Sequence, residues 1–170
     1  MEKLGYGPDN RLEIKVSARN IATTRDPAVL LTGQLKEIYI DSELEMVDTT
    51  NWFPKVLRKD FTVGMMVSEN GLDDPDQNFY ENYACGAARN YGGYCNPEVD
   101  AMIDGQSMET DPERRRLVWD IERKLIEDDV QPVLFHPRGA VCNQPWVEGM
   151  TQMVNGIHNG SRFEDVWLDK

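Results

Sequence analysis

The groups in this 170-residue chain with distinctive side-chain chemistry are few: three cysteines, two histidines and a set of polar residues at the ends of apolar runs. Cys85 and Cys95 stand ten positions apart in a glycine-containing stretch. They bridge if the loop brings their Cα atoms within about 7 Å; otherwise they are two buried thiols. Cys142 has no evident partner. A cysteine nucleophile needs a histidine in reach. The only histidines, His136 and His158, lie in no recognisable catalytic motif. There is no Gly-x-Ser-x-Gly, no His-Glu-x-x-His and no phosphate-binding glycine loop. Carboxylate pairs abound, but among 30 acidic residues they carry no information. The expectation is a protein that is not an enzyme and needs no cofactor.

Metal chemistry fares no better. Asp74-Pro75-Asp76-Gln77-Asn78 alternates oxygen ligands as a calcium loop does. Phe79, however, stands where such a loop needs glycine, and the closing glutamate is misplaced. The same residues suit a helix N-terminus, where acids are favoured by the helix dipole. No Cys/His spacing fits zinc.

The net charge is −12, from 30 acidic and 18 basic residues. Such a surface repels phosphate backbones and anionic lipid heads, which argues against nucleic-acid or membrane-surface binding. No apolar run approaches the roughly 18 residues of a transmembrane helix. Met1-Glu2-Lys3-Leu4-Gly5 lacks the apolar core of a signal peptide. It reads as a helix end stopped by Gly5, hence the expectation of a chain that starts inside a larger protein.

The elements that position these groups alternate. Leu12, Ile14 and Val16 alternate with Glu13, Lys15 and Ser17, a strand with one buried face. A helix is expected from Asp26 to Ile38, capped by Asp26, with Pro27 in its first turn and Leu30, Leu31, Leu35 and Ile38 inward. Ser42–Thr49 reads as a second strand. Asn51 begins a short helix carrying Trp52, Phe53, Val56 and Leu57. Phe61–Val67 reads as a strand covered on both faces. Asn96-Pro97 and Asp111-Pro112 each start a helix. The second is strongly amphipathic, with Leu117, Val118, Ile121, Leu125 and Ile126 apolar. Pro132–Phe135 reads as a strand, and Ala140–Asn143 as a short one. Strands alternating with helices predict a layered α/β domain.

In open α/β sheets, ligands bind beyond the carboxyl ends of the strands. Three such ends are polar here: Arg19-Asn20, Ser68 through Asp73, and His136 through Arg138. Asn70 can present an amide and Asp73 a carboxylate, while Gly71 permits backbone conformations closed to other residues. Stabilising the turn is the alternative role for Asn70 and Asp73. Arg89, between the two cysteines, can hold a ligand carboxylate bidentately; an internal salt bridge is the alternative. Arg19 and Arg138 complete the candidate contacts. Trp52 and Trp146 can line a cleft, but buried aromatics are more often core.

Certain stretches, taken in order, carry a resemblance. They are Leu4-Gly5-Tyr6, Asp74-Pro75, Asn90 through Tyr94, Asn96-Pro97-Glu98-Val99-Asp100, the helix Arg114 to Glu127, and Val166-Trp167-Leu168. Together they resemble the peptide, dipeptide and nickel class (family 5) of ABC-transporter solute-binding proteins. The resemblance implies a type II periplasmic-binding-protein lobe, α/β with a mixed sheet flanked by helices. Residues 1–170 would form one domain, most of the second lobe of a two-lobed receptor whose first lobe is absent. It implies a periplasmic or extracytoplasmic site, ABC permease subunits as partners, and hinge closure over a small solute. It also implies that Asn90 and Tyr94 pack their loop. Peptide binders of this class clamp the ligand ammonium with an aspartate about three residues before the acidic-Pro pair. That position is Gly71, and Ser68 stands near the place of the usual aromatic. A two-residue shift would let Asp73 serve. A peptide, an opine, a sugar or a metal chelate are all open as ligands. A protein-interaction module without a small ligand is the rival reading.

Overall fold

The computed structural model describes residues 1–68, 74–110, 112–136, 140, 142–150 and 163–169. Asn70, Gly71, Asp73, Asp111, Arg138 and His158 lie outside the described residues. The chain divides into two compact units, Met1–Ser68 and Glu69–Lys170.

The first unit opens with a 3-10 turn, Glu2–Leu4, closed by Gly5 at φ 83, a left-handed conformation that glycine adopts without steric cost. It continues through β1 (Leu12–Arg19), α1 (Ala22–Glu37), β2 (Ile40–Val47), α2 (Thr49–Leu57) and β3 (Val63–Met65). The sheet is parallel throughout, in the order β2-β1-β3. Alternation in β1 sends Val16 and Ala18 into a core with Ala28 of α1, packed by Ile14, Leu35, Leu44, Met46, Val63 and Met65. The opposite face of β1 and β2 is polar. There Lys15 pairs with Glu43 at 3.8 Å, and the Ser17 hydroxyl donates to Glu45 at 2.5 Å. A parallel sheet is usually apolar on both faces; this one alternates. β3 is shorter than the apolar run Phe61–Val67. Phe61 folds back so that its ring would lie 3.1 Å from a Cβ at Gly64, a contact any larger residue there would have to relieve by shifting the ring.

Helix α1 departs from expectation. It begins at Ala22, with Ile21 rather than Asp26 at the N-cap, and encloses Pro27. No side chain caps α1: the amides of Thr24 and Arg25 donate to the Ile21 carbonyl, and the Thr24 hydroxyl donates to Arg19 O at 2.7 Å, tying the first turn to the end of β1. Leu35 packs on the core as expected. Thr24 and Ala28 point inward, and Leu30, about 200° round the helix from Ala28, is 69% exposed. Ile38 is the C-cap and is also exposed. In α2, capped by Asp48 rather than Asn51, Trp52 and Val56 are buried while Phe53 and Leu57 are not.

Among the described residues the second unit holds three helices: α3 (Pro75–Asn82), α4 (Pro97–Ser107) and α5 (Glu113–Glu127). Asp74-Pro75 and Asn96-Pro97 start their helices as expected, whereas α5 has Pro112 itself at its N-cap, with no side-chain cap. The Asp74 side chain accepts the Asp76 amide at 2.9 Å, and Asn96 accepts that of Glu98 at 3.0 Å. The core joins Phe79, Val99, Ile103, Ile121 and Leu125. Ile126, expected on this face, is 75% exposed, being one position (about 100°) past Leu125. Pro132–Phe135 forms no strand, and Val133, Leu134 and Phe135 are all exposed. No strand is assigned at Ala140 or over 142–143 either. A separate antiparallel ribbon pairs β4 (Val147–Glu148) with β5 (Trp167–Leu168), and Trp146 beside it is 46% exposed rather than core.

Candidate functional site

In the first unit the polar groups gather where the parallel strands end. β1 finishes at Arg19 and β2 at Val47, in register, and the Asn20 amide donates to Val47 O at 2.8 Å. Arg19 is held from three sides. Its carbonyl accepts from Ile21 N and from the Thr24 hydroxyl. Its Nε donates to Thr49 Oγ1 at 3.0 Å. Its guanidinium lies 5.5 Å from the centre of the Phe53 ring, within cation–π range. One row below on the same face, Glu45 is already committed, accepting from Ser17 and pairing with Lys55 at 3.2 Å. Those contacts, led by the Ser17 hydrogen bond, hold the Glu45 carboxyl below its ordinary range.

An open depression of about 360 Å³ lies beside the β2 edge, walled by Asp48, Asn51, Lys55, Arg58 and Asp60 among others. Lys55 there also approaches Asp60 at 3.6 Å, so its charges largely neutralise one another.

In the second unit, Cys85 and Cys95 are joined by a disulfide, with Cα atoms 4.5 Å apart. Cys142 is free and exposed. The loop they close is held independently by buried Asn90. Its amide donates to Ala84 O at 3.1 Å and to Tyr94 O at 2.6 Å, and its oxygen accepts from Tyr94 N at 3.1 Å. The Tyr94 hydroxyl in turn donates to Asp128 at 2.7 Å. Arg89, on this loop, pairs with Glu81 at 2.7 Å with both side chains open to solvent.

Asp74 follows directly on the residues 69–73 that carried the central ligand expectation. It receives both terminal nitrogens of Arg114, at 3.0 and 2.8 Å. Arg114 Nε donates to the Gln106 oxygen at 3.1 Å. Gln106 is fully buried, and its nitrogen bonds Asp76, whose other oxygen accepts from Ser107 at 2.7 Å. The Asp74 carboxyl is held below the usual carboxylate range, first by Arg114 and then by the Asp76 amide.

Of the expected contacts, then, Arg19 stands at the sheet rim and Arg89 in an ion pair. Thr49 and Phe53, which set the Arg19 guanidinium, were not singled out from sequence. The available signal was the polar triplet Asp48-Thr49-Thr50 directly after the second strand. Among the described residues no cluster of three or more His, Cys, Asp or Glu side chains could hold a metal ion, and no helix is long and apolar enough to cross a membrane.

No protein-family model matches the chain, and no curated protein sequence matches it. Solved structures do. DppA from Helicobacter pylori, an ABC transporter-associated periplasmic binding protein in complex with the peptide STSA, matches 99% of this chain and 33% of its own. The TM-score is 0.80 at 20% identity. OppA from Haemophilus influenzae, in complex with RPPGFSPFR, matches 99% of this chain and 33% of its own, with TM-score 0.79 at 18% identity. NikA from Staphylococcus aureus, in complex with Ni(L-His)2, matches 76% of this chain and 28% of its own, with TM-score 0.68 at 23% identity. The structural neighbours are solute-binding proteins of the peptide and nickel class, and the chain has their α/β fold. It spans about a third of the length of the solved structures it matches.

Proposed function

We propose that this chain is the ligand-binding lobe of an extracytoplasmic receptor that delivers a small solute to an ABC importer, and that it acts without catalysis. The fold match over 99% of the chain to a periplasmic binding protein holding a peptide supports this reading above all else. The polar rim at the carboxyl ends of β1 and β2 is where such a fold offers its ligand surface. In this reading residues 1–170 form most of the second lobe of the receptor, and the first lobe supplies the opposite wall. A solute touching both walls favours the closed form, which docks on the permease. Asn70, Gly71, Asp73 and Arg138 remain proposed contacts, and Arg19 and Arg89 are proposed with them.

The deciding experiment is a thermal-shift screen of the full-length gene product, with the 170-residue chain as control. The panel comprises short peptides, opines, oligosaccharides and metal chelates. A ligand at 100 times its Kd stabilises by about 2.7 kcal/mol. A shift in the full-length protein and none in the control supports the two-lobe receptor. Silence across the panel from a folded protein removes it.

One observation favours the rival, a protein-interaction module. Val133, Leu134 and Phe135 are three consecutive exposed apolar residues without strand pairing. Under the receptor reading the same segment contacts further polypeptide of the receptor.

A further inference from the structure

We propose that Cys85 and Cys95 form a reversible thiol–disulfide couple, a redox site worked by dithiols, and that the loop they close keeps its shape when the bond is open. This goes beyond the receptor reading and does not depend on it.

Access to the bond is unequal. Cys95 is exposed and Cys85 half-buried, so a thiolate arriving from solvent reaches the Cys95 sulfur. Exposed bridges are in general the labile ones, whereas structural bridges resist reduction.

Sulfur is also not the only closure of this loop. Buried Asn90 joins its two ends. It donates to Ala84 O, beside Cys85, and to Tyr94 O, beside Cys95, and it accepts from Tyr94 N. The ends are anchored again outside the loop. The Ala84 amide donates to Phe79 O at 3.1 Å, and the Cys85 amide to Asp100 at 3.0 Å. The Asn96 side chain donates to Asp128 at 3.0 Å. Tyr83 and Tyr94 pack on the core of the second unit. Each cysteine is thus flanked by residues held without its sulfur. The Cα atoms, 4.5 Å apart, stay within bridging distance after reduction. The two thiols then close again in a unimolecular step.

A dithiol supplies the electrons. Its first thiolate attacks Cys95 Sγ, the S–S bond breaks, and the electron pair leaves on Cys85 Sγ, which takes a proton. Its second thiolate attacks its own sulfur in the mixed disulfide, and the pair leaves on Cys95 Sγ, which is protonated in turn. The chain gains two electrons and two protons, and the dithiol becomes a disulfide. A disulfide oxidant runs the same steps backwards.

The test uses the 170-residue chain with Cys142→Ser, because Cys142 is free and exposed and would also take the label. Dithiothreitol is added under native conditions, samples are quenched with iodoacetamide, and the labels are counted by intact mass. The unfolding rate is measured in parallel. Reduction should speed up in proportion to dithiothreitol and outrun unfolding. The reduced chain should keep slow hydrogen exchange at the Tyr94 amide. On transfer to oxidised glutathione, the mixed disulfide should close about tenfold faster, or more, than in Asn90→Ala, whose cysteines must meet by diffusion of the loop. Asn90→Asp, which keeps the acceptor for Tyr94 N and loses both donated bonds, gives the same comparison if the alanine variant does not fold. Reduction at a rate independent of dithiothreitol and equal to unfolding would mean a structural staple and overturn the proposal. Loss of Tyr94 protection on reduction, or closure as fast in the Asn90 variant as in the parent, would overturn it too.

Discussion

Arg114, at the start of α5, grips Asp74, at the start of α3, with two nitrogens at 3.0 and 2.8 Å across forty residues of chain. The pair ties the N-cap of α3 to the first turn of α5. Asp74→Ala should cost about 1–2 kcal/mol, a range already reduced for the partial exposure of both partners. Asp74→Asn should cost less, because the amide oxygen still caps α3. Urea denaturation of the two variants measures the difference.

The same carboxylate predicts an acid dependence. Its pKa is depressed in the folded state, first by Arg114 and then by the Asp76 amide. The folded protein therefore binds that proton less readily than the unfolded chain. The contribution is full above the unfolded value, about pH 4, and is lost as pH falls through the lower folded value. Stability of the parent should drop across that interval, and Asp74→Asn should drop less.

Gln106 is buried and joins Arg114 to Asp76. Gln106→Leu keeps the volume but strands Arg114 Nε and takes one bond from Asp76, which keeps Ser107 and Arg114, and should cost about 2–3 kcal/mol. The Gln106→Leu/Arg114→Ala double variant, which removes the stranded donor, should cost clearly less than the two single losses added together. Additive losses would mean the glutamine acts alone.

Two supports hold the loop from Ala84 to Cys95. Replacing both Cys85 and Cys95 by serine should cost about 2–3 kcal/mol, the entropy of a ten-residue closure, while leaving the Asn90 bonds in place. Asn90→Ala should instead release the loop itself. Hydrogen exchange at the Tyr94 amide, which donates to Asn90, should rise sharply only in the second variant.

Burial, and then its hydrogen bond to Asp128, push the Tyr94 hydroxyl up to about 12. The folded state holds this proton more tightly than the unfolded chain. Its contribution is complete below about pH 10 and is lost as pH rises through about 12. Tyr94→Phe should delete a late step from the tyrosinate absorbance titration. It should also let the Asp128 carboxyl, held low chiefly by that hydroxyl, rise toward its usual range.

Much of this architecture was legible because its signals were local. The alternation Leu12, Ile14, Val16 named β1, and the Asp74-Pro75 and Asn96-Pro97 pairs named two helix starts to the residue. Ile121 and Leu125 named the buried face of α5. The failures arose where a contact outside the motif decided. Asp26-Pro27 has the chemistry of a helix start, but Arg19 O and the Ile21 carbonyl offered Thr24 and Arg25 bonds one turn earlier. Leu30 points outward because it lies two positions past inward-facing Ala28. Pro132–Phe135 has the composition of a strand, yet a strand needs a neighbour, which composition does not provide. At the rim, Arg19 was recognisable as a polar strand end. That Thr49 and Phe53 would set its guanidinium depended on the parallel register of β1 with β2, which no short stretch of sequence encodes.

The order β2-β1-β3 places the first strand of the chain in the middle of the sheet. A ribosome therefore delivers the template before either strand that docks on it. β2 can pair with a finished edge as soon as α1 has emerged, and β3 with the other edge after α2. No later strand has to pry open an existing ladder. The cost of this arrangement is concentration of risk: loss of β1 through cleavage or slippage leaves β2 and β3 with no shared neighbour, and the whole parallel sheet dissolves with it.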